Sequence, residues 1–102
     1  MKNRRLLAAL HDLYFSKTDL LRKLTVEEAE SLFAVRIDGA DSDPVPFGFL
    51  NPEWQKMRQK IRPGDEIWEF RSTRPRGDTI GGVKLLRDSI VVDAIVAQRS
   101  IT

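Results

Sequence analysis

Cysteine is absent from the 102 residues. Disulfide bridges, thiolate nucleophiles and every sulfur-ligated zinc site are absent with it. The lack fits a reducing compartment. Histidine occurs once, as His11, and a lone imidazole makes neither a metal centre nor a base-and-nucleophile set. Long apolar runs are missing too, since no stretch approaches the ~18 residues of a membrane span. Met1 to Leu10 opens with the basic residues of a signal peptide, but His11 and Asp12 cut its apolar run short and no small-residue cleavage site follows. A cytoplasmic protein with no membrane partner is therefore expected. Neither sign of charge dominates: the net charge is +2, short of the strong basic balance of a nucleic-acid-binding domain.

What is present fits a globular chain. A hydrophobic fraction of 41% beside 31% charged residues argues against long disordered segments, and the length is that of a single domain spanning 1–102. Charge falls in blocks. Lys2, Arg4, Arg5, Lys17, Arg22 and Lys23 come first. An acidic stretch runs from Glu27 to Glu53, and then come Lys56, Arg58, Lys60 and Arg62 without an acid among them. These blocks read as solvated helix faces flanking an acidic loop.

Leu6, Leu10 and Leu13 recur at helical spacing and predict an amphipathic helix from Arg4 to Phe15. Thr25 and Glu28 form the capping-box pattern of a second helix, with Val26, Ala29, Leu32 and Phe33 inward and an end near Arg36 to Asp38. Residues 38–48 are turn-rich and hold two prolines. Asn51 is the expected N-cap of a third helix, with Pro52 in its first position and Trp54, Met57 and Ile61 inward, stopped by Pro63-Gly64.

After Pro63 the period changes to two. Glu66 to Arg71, Gly82 to Arg87 and Ile90 to Ala97 predict three strands. Residues 72–81 form a basic loop, and Asp88-Ser89 a two-residue hairpin turn. That turn sets Lys84 opposite Asp93 on one face and places Val83, Leu85, Val92 and Ala94 on the other. The fold class expected is α+β, with N-terminal helices packed on one face of a three-stranded antiparallel meander in two layers.

Arg62-Pro-Gly-Asp-Glu-Ile-Trp-Glu-Phe70 followed by Gly81-Gly-Val-Lys-Leu-Leu-Arg-Asp-Ser-Ile-Val91 resembles small uncharacterised bacterial proteins. Those carry Pro-Gly-Asp-Glu-x-Trp-x-Phe, then a glycine-containing strand and Leu-x-Arg-Asp-Gly-x-Ile/Val. The resemblance covers roughly 47–97 and departs at Ser89, where the pattern has glycine. It implies a bacterial α+β domain and supplies no activity and no catalytic residue.

Chemical motifs fail one by one. Asp38, Asp41 and Asp43 lack the offsets, mid-loop glycine and closing glutamate of a calcium loop. Gly77 to Gly82 lacks the Gly-Lys-Ser/Thr ending of a phosphate loop, and its Gly81-Gly82 pair predicts a bulge or close backbone approach instead. Glu66 and Glu69 fall on opposite faces of one strand and make no acid/base pair with each other. No catalytic residue, metal ligand or cofactor motif emerges.

The richest remaining feature is Arg71, Arg74 and Arg76 beside a strand bearing Trp68 and Phe70. Guanidinium forks bind carboxylates or phosphates. The sequence thus favours a non-catalytic binding or accessory module for a protein partner or a small anionic ligand. Phe47 and Phe49 would line a mouth between the 38–50 and 71–81 segments with those three arginines. The alternatives are a small hydrolase-like enzyme using carboxylates and arginine, and single-stranded nucleic-acid binding through residues 71–76, which needs Trp68 or Phe70 exposed. A homodimer through a face of Val91, Asp93 and Ile95 is a further expectation.

Overall fold

Alternating side chains leave a strand one face to bury and one to hydrogen-bonding neighbours, and every alternating stretch here finds an antiparallel partner. A computed structural model describes residues 19–37, 43–73 and 77–100. The elements in order are β1 (Leu20–Leu24), α1 (Val26–Leu32), β2 (Ala34–Val35), β3 (Val45–Pro46), a 3-10 turn (Gly48–Leu50), α2 (Asn51–Lys60), β4 (Glu66–Thr73), β5 (Thr79–Arg87) and β6 (Ile90–Ser100). The helix expected over 4–15 lies outside the described residues. Neither described helix is long and apolar enough to cross a membrane.

The α+β class holds, but the layout differs from a three-stranded meander behind N-terminal helices. The main sheet has four strands in the order β1-β4-β5-β6, and β2 pairs with β3 in a second, two-stranded sheet. The added strand β1 precedes both described helices and pairs antiparallel with β4, placing Leu24 opposite Ile67 and Lys23 opposite Trp68. Leu20-Leu-Arg-Lys-Leu24 does not alternate cleanly and its pairing shifts at Arg22, so its period carries little strand signal.

Helix α1 starts where its capping box puts it. Glu28 N–H donates to Thr25 Oγ1 at 3.0 Å, and Thr25 N–H donates to Glu28 Oε1 at 2.9 Å. It ends at Leu32, short of the expected 36–38, because Ala34 and the β-branched Val35 join β3 instead. Helix α2 begins with Asn51 itself rather than being capped by it. The Asn51 side-chain amide reaches back to donate to the Pro46 carbonyl at 3.0 Å.

Both helices pack on one sheet face. Ala29, Phe33, Phe47, Trp54 and Met57 meet Leu24, Ile67, Val83, Leu85 and Ile95 in one buried cluster. Phe47 stacks between Phe33 and Trp54, with ring centroids 5.1 and 4.6 Å apart. Trp54 satisfies its indole N–H on Glu30 at 2.8 Å.

The β5–β6 hairpin follows its turn for two pairs only. Arg87 faces Ile90 and Leu86 faces Val91, with Asp88 and Ser89 both left-handed at φ 51° and 66°. A bulge then skips Val92, so Leu85 faces Asp93, Lys84 faces Ala94 and Val83 faces Ile95. A second shift separates Gly82–Val96 from Gly81–Gln98. The close approach expected of the glycine pair is real: a Cβ on Gly82 would overlap the Ile95 carbonyl oxygen.

The bulge overturns the expected Lys84–Asp93 pair, because it turns the two side chains to different faces. Lys84 is fully buried, its Nζ 2.9 Å from Asp19 Oδ1 and 4.6 Å from the centre of the Phe70 ring. Asp93 lies on the helix side and accepts from Lys60 at 2.9 Å. Val92 and Ala94 therefore do not share the face of Val83 and Leu85. The dimer face of Val91, Asp93 and Ile95 is not one face either: Val91 and Ile95 are buried, on opposite sides of the sheet.

Two stability measurements test these contacts. Ser89→Gly removes a side chain from a left-handed position and raises the free energy of urea unfolding by about 0.5–1 kcal/mol; a loss of stability would contradict the turn geometry. Asp19→Ala takes an ion-pair partner from a buried ammonium and lowers that free energy by about 3 kcal/mol, whereas an effect no larger than that of a surface substitution would show the pair to be immaterial.

Candidate binding surface

Catalysis by carboxylates needs groups free to exchange protons, and Asp65, Glu66, Glu69 and Glu30 are engaged by structural partners. Asp65 accepts a two-pronged contact from Arg87, at 3.1 Å from Nε and 2.9 Å from Nη2, and a third bond from the Arg62 backbone N–H at 2.9 Å. Glu66 accepts from the Trp68 indole at 3.1 Å and pairs with Lys23 at 3.1 Å. Glu69 pairs with Arg22 at 2.8 Å, and Glu30 with Arg58 at 3.3 Å. The Arg87 hydrogen bonds, and after them the Arg62 N–H, hold the Asp65 carboxyl below its usual range. The Trp68 and Lys23 hydrogen bonds do the same for Glu66. The Thr25 backbone N–H, followed by its hydroxyl, does so for Glu28. A general acid at neutral pH needs the opposite displacement. Among the described residues no three His, Cys, Asp or Glu side chains converge as metal ligands.

The expected binding residues do not share one environment. Phe47 is 4% exposed and belongs to the core. Phe49, two residues on, is 82% exposed. Arg71 lies exposed on β4, its backbone N–H donating to the Asp19 carbonyl at 3.1 Å. Arg74 and Arg76 lie outside the described residues, as do 38–42 of the expected mouth. Phe70 is buried and offers no stacking face; Trp68 is half-buried, with its N–H committed to Glu66.

The separation of Phe47 from Phe49 has a backbone cause. Phe47 and Gly48 are both left-handed, at φ 62° and 54°. This conformation is costly for a bulky side chain and is held here by its surroundings. Phe47 N–H donates to the Phe33 carbonyl at 2.8 Å and Leu50 N–H to the Phe47 carbonyl at 2.9 Å. Gly48 lies against Val35, where a Cβ would come within 3.1 Å of the valine Cβ. The tight turn sends Phe47 into the aromatic stack and Phe49 out to solvent.

Phe49 directly precedes Leu50, which lines a groove of about 290 Å³. Leu50, Glu53, Lys56 and Lys60 form its helical wall, and Asp93, Ala94, Ile95 and Val96 its sheet wall. Strand β6 is the outer strand of the sheet, so the groove runs along a sheet border. The Lys60–Asp93 pair bridges the two walls. No motif in the sequence marks this site, although a weaker signal is there: with Trp54 and Met57 inward, Glu53, Lys56 and Lys60 fall together on one flank of α2.

No protein-family model matches the chain, and no curated protein or solved structure is significantly similar to it.

The Asp65 clamp makes a prediction with a definite sign. Its carboxyl sits lower in the folded chain than in the unfolded one. Its stabilisation is therefore complete above about pH 4 and fades as pH falls through the lower folded value. Asp65→Asn lowers the urea midpoint at about pH 7 and flattens the loss of stability down to about pH 3. A variant matching the parent at both ends would show the clamp to be inert.

Proposed function

We propose that the chain is a non-catalytic module that docks a protein partner through Phe49 and the groove between α2 and β6. One observation carries this reading: an aromatic side chain is 82% exposed at the end of a turn whose left-handed Phe47 costs conformational energy. Fully burying a phenylalanine is worth roughly 1.5–3 kcal/mol. Phe49 leaves that unrealised in the isolated chain. A partner that covers it gains the energy, and a rigid aromatic beside a concave wall is how binding anchors are presented. The engaged carboxylates support binding rather than turnover. The resemblance of 47–97 to small bacterial proteins supports a bacterial setting.

The test is selection of peptides from a random display library on the intact chain, followed by titration of the selected peptides against Phe49→Ser. Binding weakens at least ~10-fold in the variant, while its thermal midpoint stays that of the parent because the side chain is exposed. Failure to select any binder, or binders indifferent to Phe49, would overturn the reading.

A further inference from the structure

We infer that the partner this surface takes is a second copy of the same chain, related by a two-fold axis that brings two α2 helices together antiparallel. The inference rests on the docking role proposed for Phe49 and goes on to name the occupant.

The outer stripe of the 3-10 turn and α2 is Phe49, Glu53, Lys56 and Lys60, at offsets of four, three and four residues. Within α2 such offsets keep Glu53, Lys56 and Lys60 on one helical face, and Phe49 stands in the turn just before it. The offsets also read the same from either end. Two copies set antiparallel about a point midway between Glu53 and Lys56 therefore meet in register along the whole stripe. Glu53 of one copy opposes Lys56 of the other, and Lys56 opposes Glu53, so both central contacts join opposite charges. A two-fold interface demands this reciprocity, because any pair it makes is made twice.

In the same register Phe49 falls opposite Lys60 of the second copy. That lysine is already bonded to Asp93, so its charge is satisfied and its aliphatic stem is available to the ring. Each Phe49 is thus covered once, at opposite ends of one contact.

Charge argues for a second copy over an unrelated partner. The groove carries two acids, Glu53 and Asp93, and two bases, Lys56 and Lys60. Its sum is neutral and selects neither an acidic nor a basic stranger, while its order is complementary to itself. Glu53 and Lys56 are exposed and make no ion pair with another described residue. Edge-to-edge pairing through β6 is the competing route, but the two register shifts along that strand break the continuous ladder it would need. The contact is modest in size. Helix α2 is ~15 Å long, and a face this short buries less than the ~800 Å² per partner of a standard interface. A dissociation constant of about 10–100 μM is expected.

Sedimentation velocity on the intact chain from about 5 to about 500 μM reads this directly. The parent moves from monomer to dimer across that range. Glu53→Lys alone and Lys56→Glu alone each create two like-charge contacts and weaken the dimer at least ~10-fold. An equimolar mixture of the two variants restores it, since one chain then carries a base at both central positions and the other an acid at both. A parent monomeric at every concentration overturns the inference, as does a dimer that neither variant weakens or a mixture that stays monomeric. Peptides that still bind through Phe49 to a monomeric parent would leave the docking role standing and remove only the second copy as its occupant.

Discussion

Strand β6 leaves regular pairing with β5 at two places, once where Val92 is skipped and once where Gly82 and the Ile95 carbonyl approach so closely that no side chain fits between them, and the first of these sets much of the molecule's charge layout. Each skipped residue inverts the facing of the residues after it. Asp93 thereby reaches the helix side, where Lys60 holds it, and the groove between α2 and β6 acquires its bridge. Lys84, which a plain hairpin would pair with Asp93, is left facing the other way.

A buried ammonium is expensive to desolvate, and the fold answers with two contacts. Asp19 supplies two carboxylate oxygens, at 2.9 and 3.2 Å, and Phe70 supplies its ring face. Asp19 stands just before β1, and its carbonyl accepts the Arg71 backbone N–H. One residue therefore ties the outer strand β1 to β4 by its main chain and to β5 by its side chain. Such a pair adds less net stability than an apolar contact of similar size would. What it supplies is position, since a slipped β1 would carry Asp19 away from a charge that has to be met.

On the helix side an aromatic stack plays the corresponding part. Phe33 at the end of α1, Phe47 before the 3-10 turn and Trp54 in α2 meet in one pile against the sheet. Seating Phe47 there requires a left-handed residue followed by a left-handed glycine, and the same turn expels Phe49. Core packing and the candidate docking surface are thus consequences of one backbone feature. The groove beside Phe49 likewise depends on the bulge that aims Asp93 at Lys60, so both parts of the site trace to places where the chain leaves regular geometry.

Much of this was legible in the residue order. The Thr25–Glu28 capping box, the two-residue turn at Asp88-Ser89, the inward Trp54 and Met57, the closeness of backbone at Gly81-Gly82 and the α+β class were all decided by interactions spanning a few residues, which a linear pattern records. Strand β1, the burial of Lys84, the skipped Val92 and the division of Phe47 from Phe49 were not. Leu20–Leu24 becomes a strand because β4 offers it an edge, and Lys84 finds a partner 65 residues away in Asp19. The residue order alone determined the capped helix start at Thr25, the inward face of the helix after Asn51 and the extended stretches after Pro63, because those preferences are local. Only the tertiary structure decided which way the charged side chains point and which phenylalanine meets solvent, because a bulge and a left-handed turn are set by what packs against them from elsewhere in the chain.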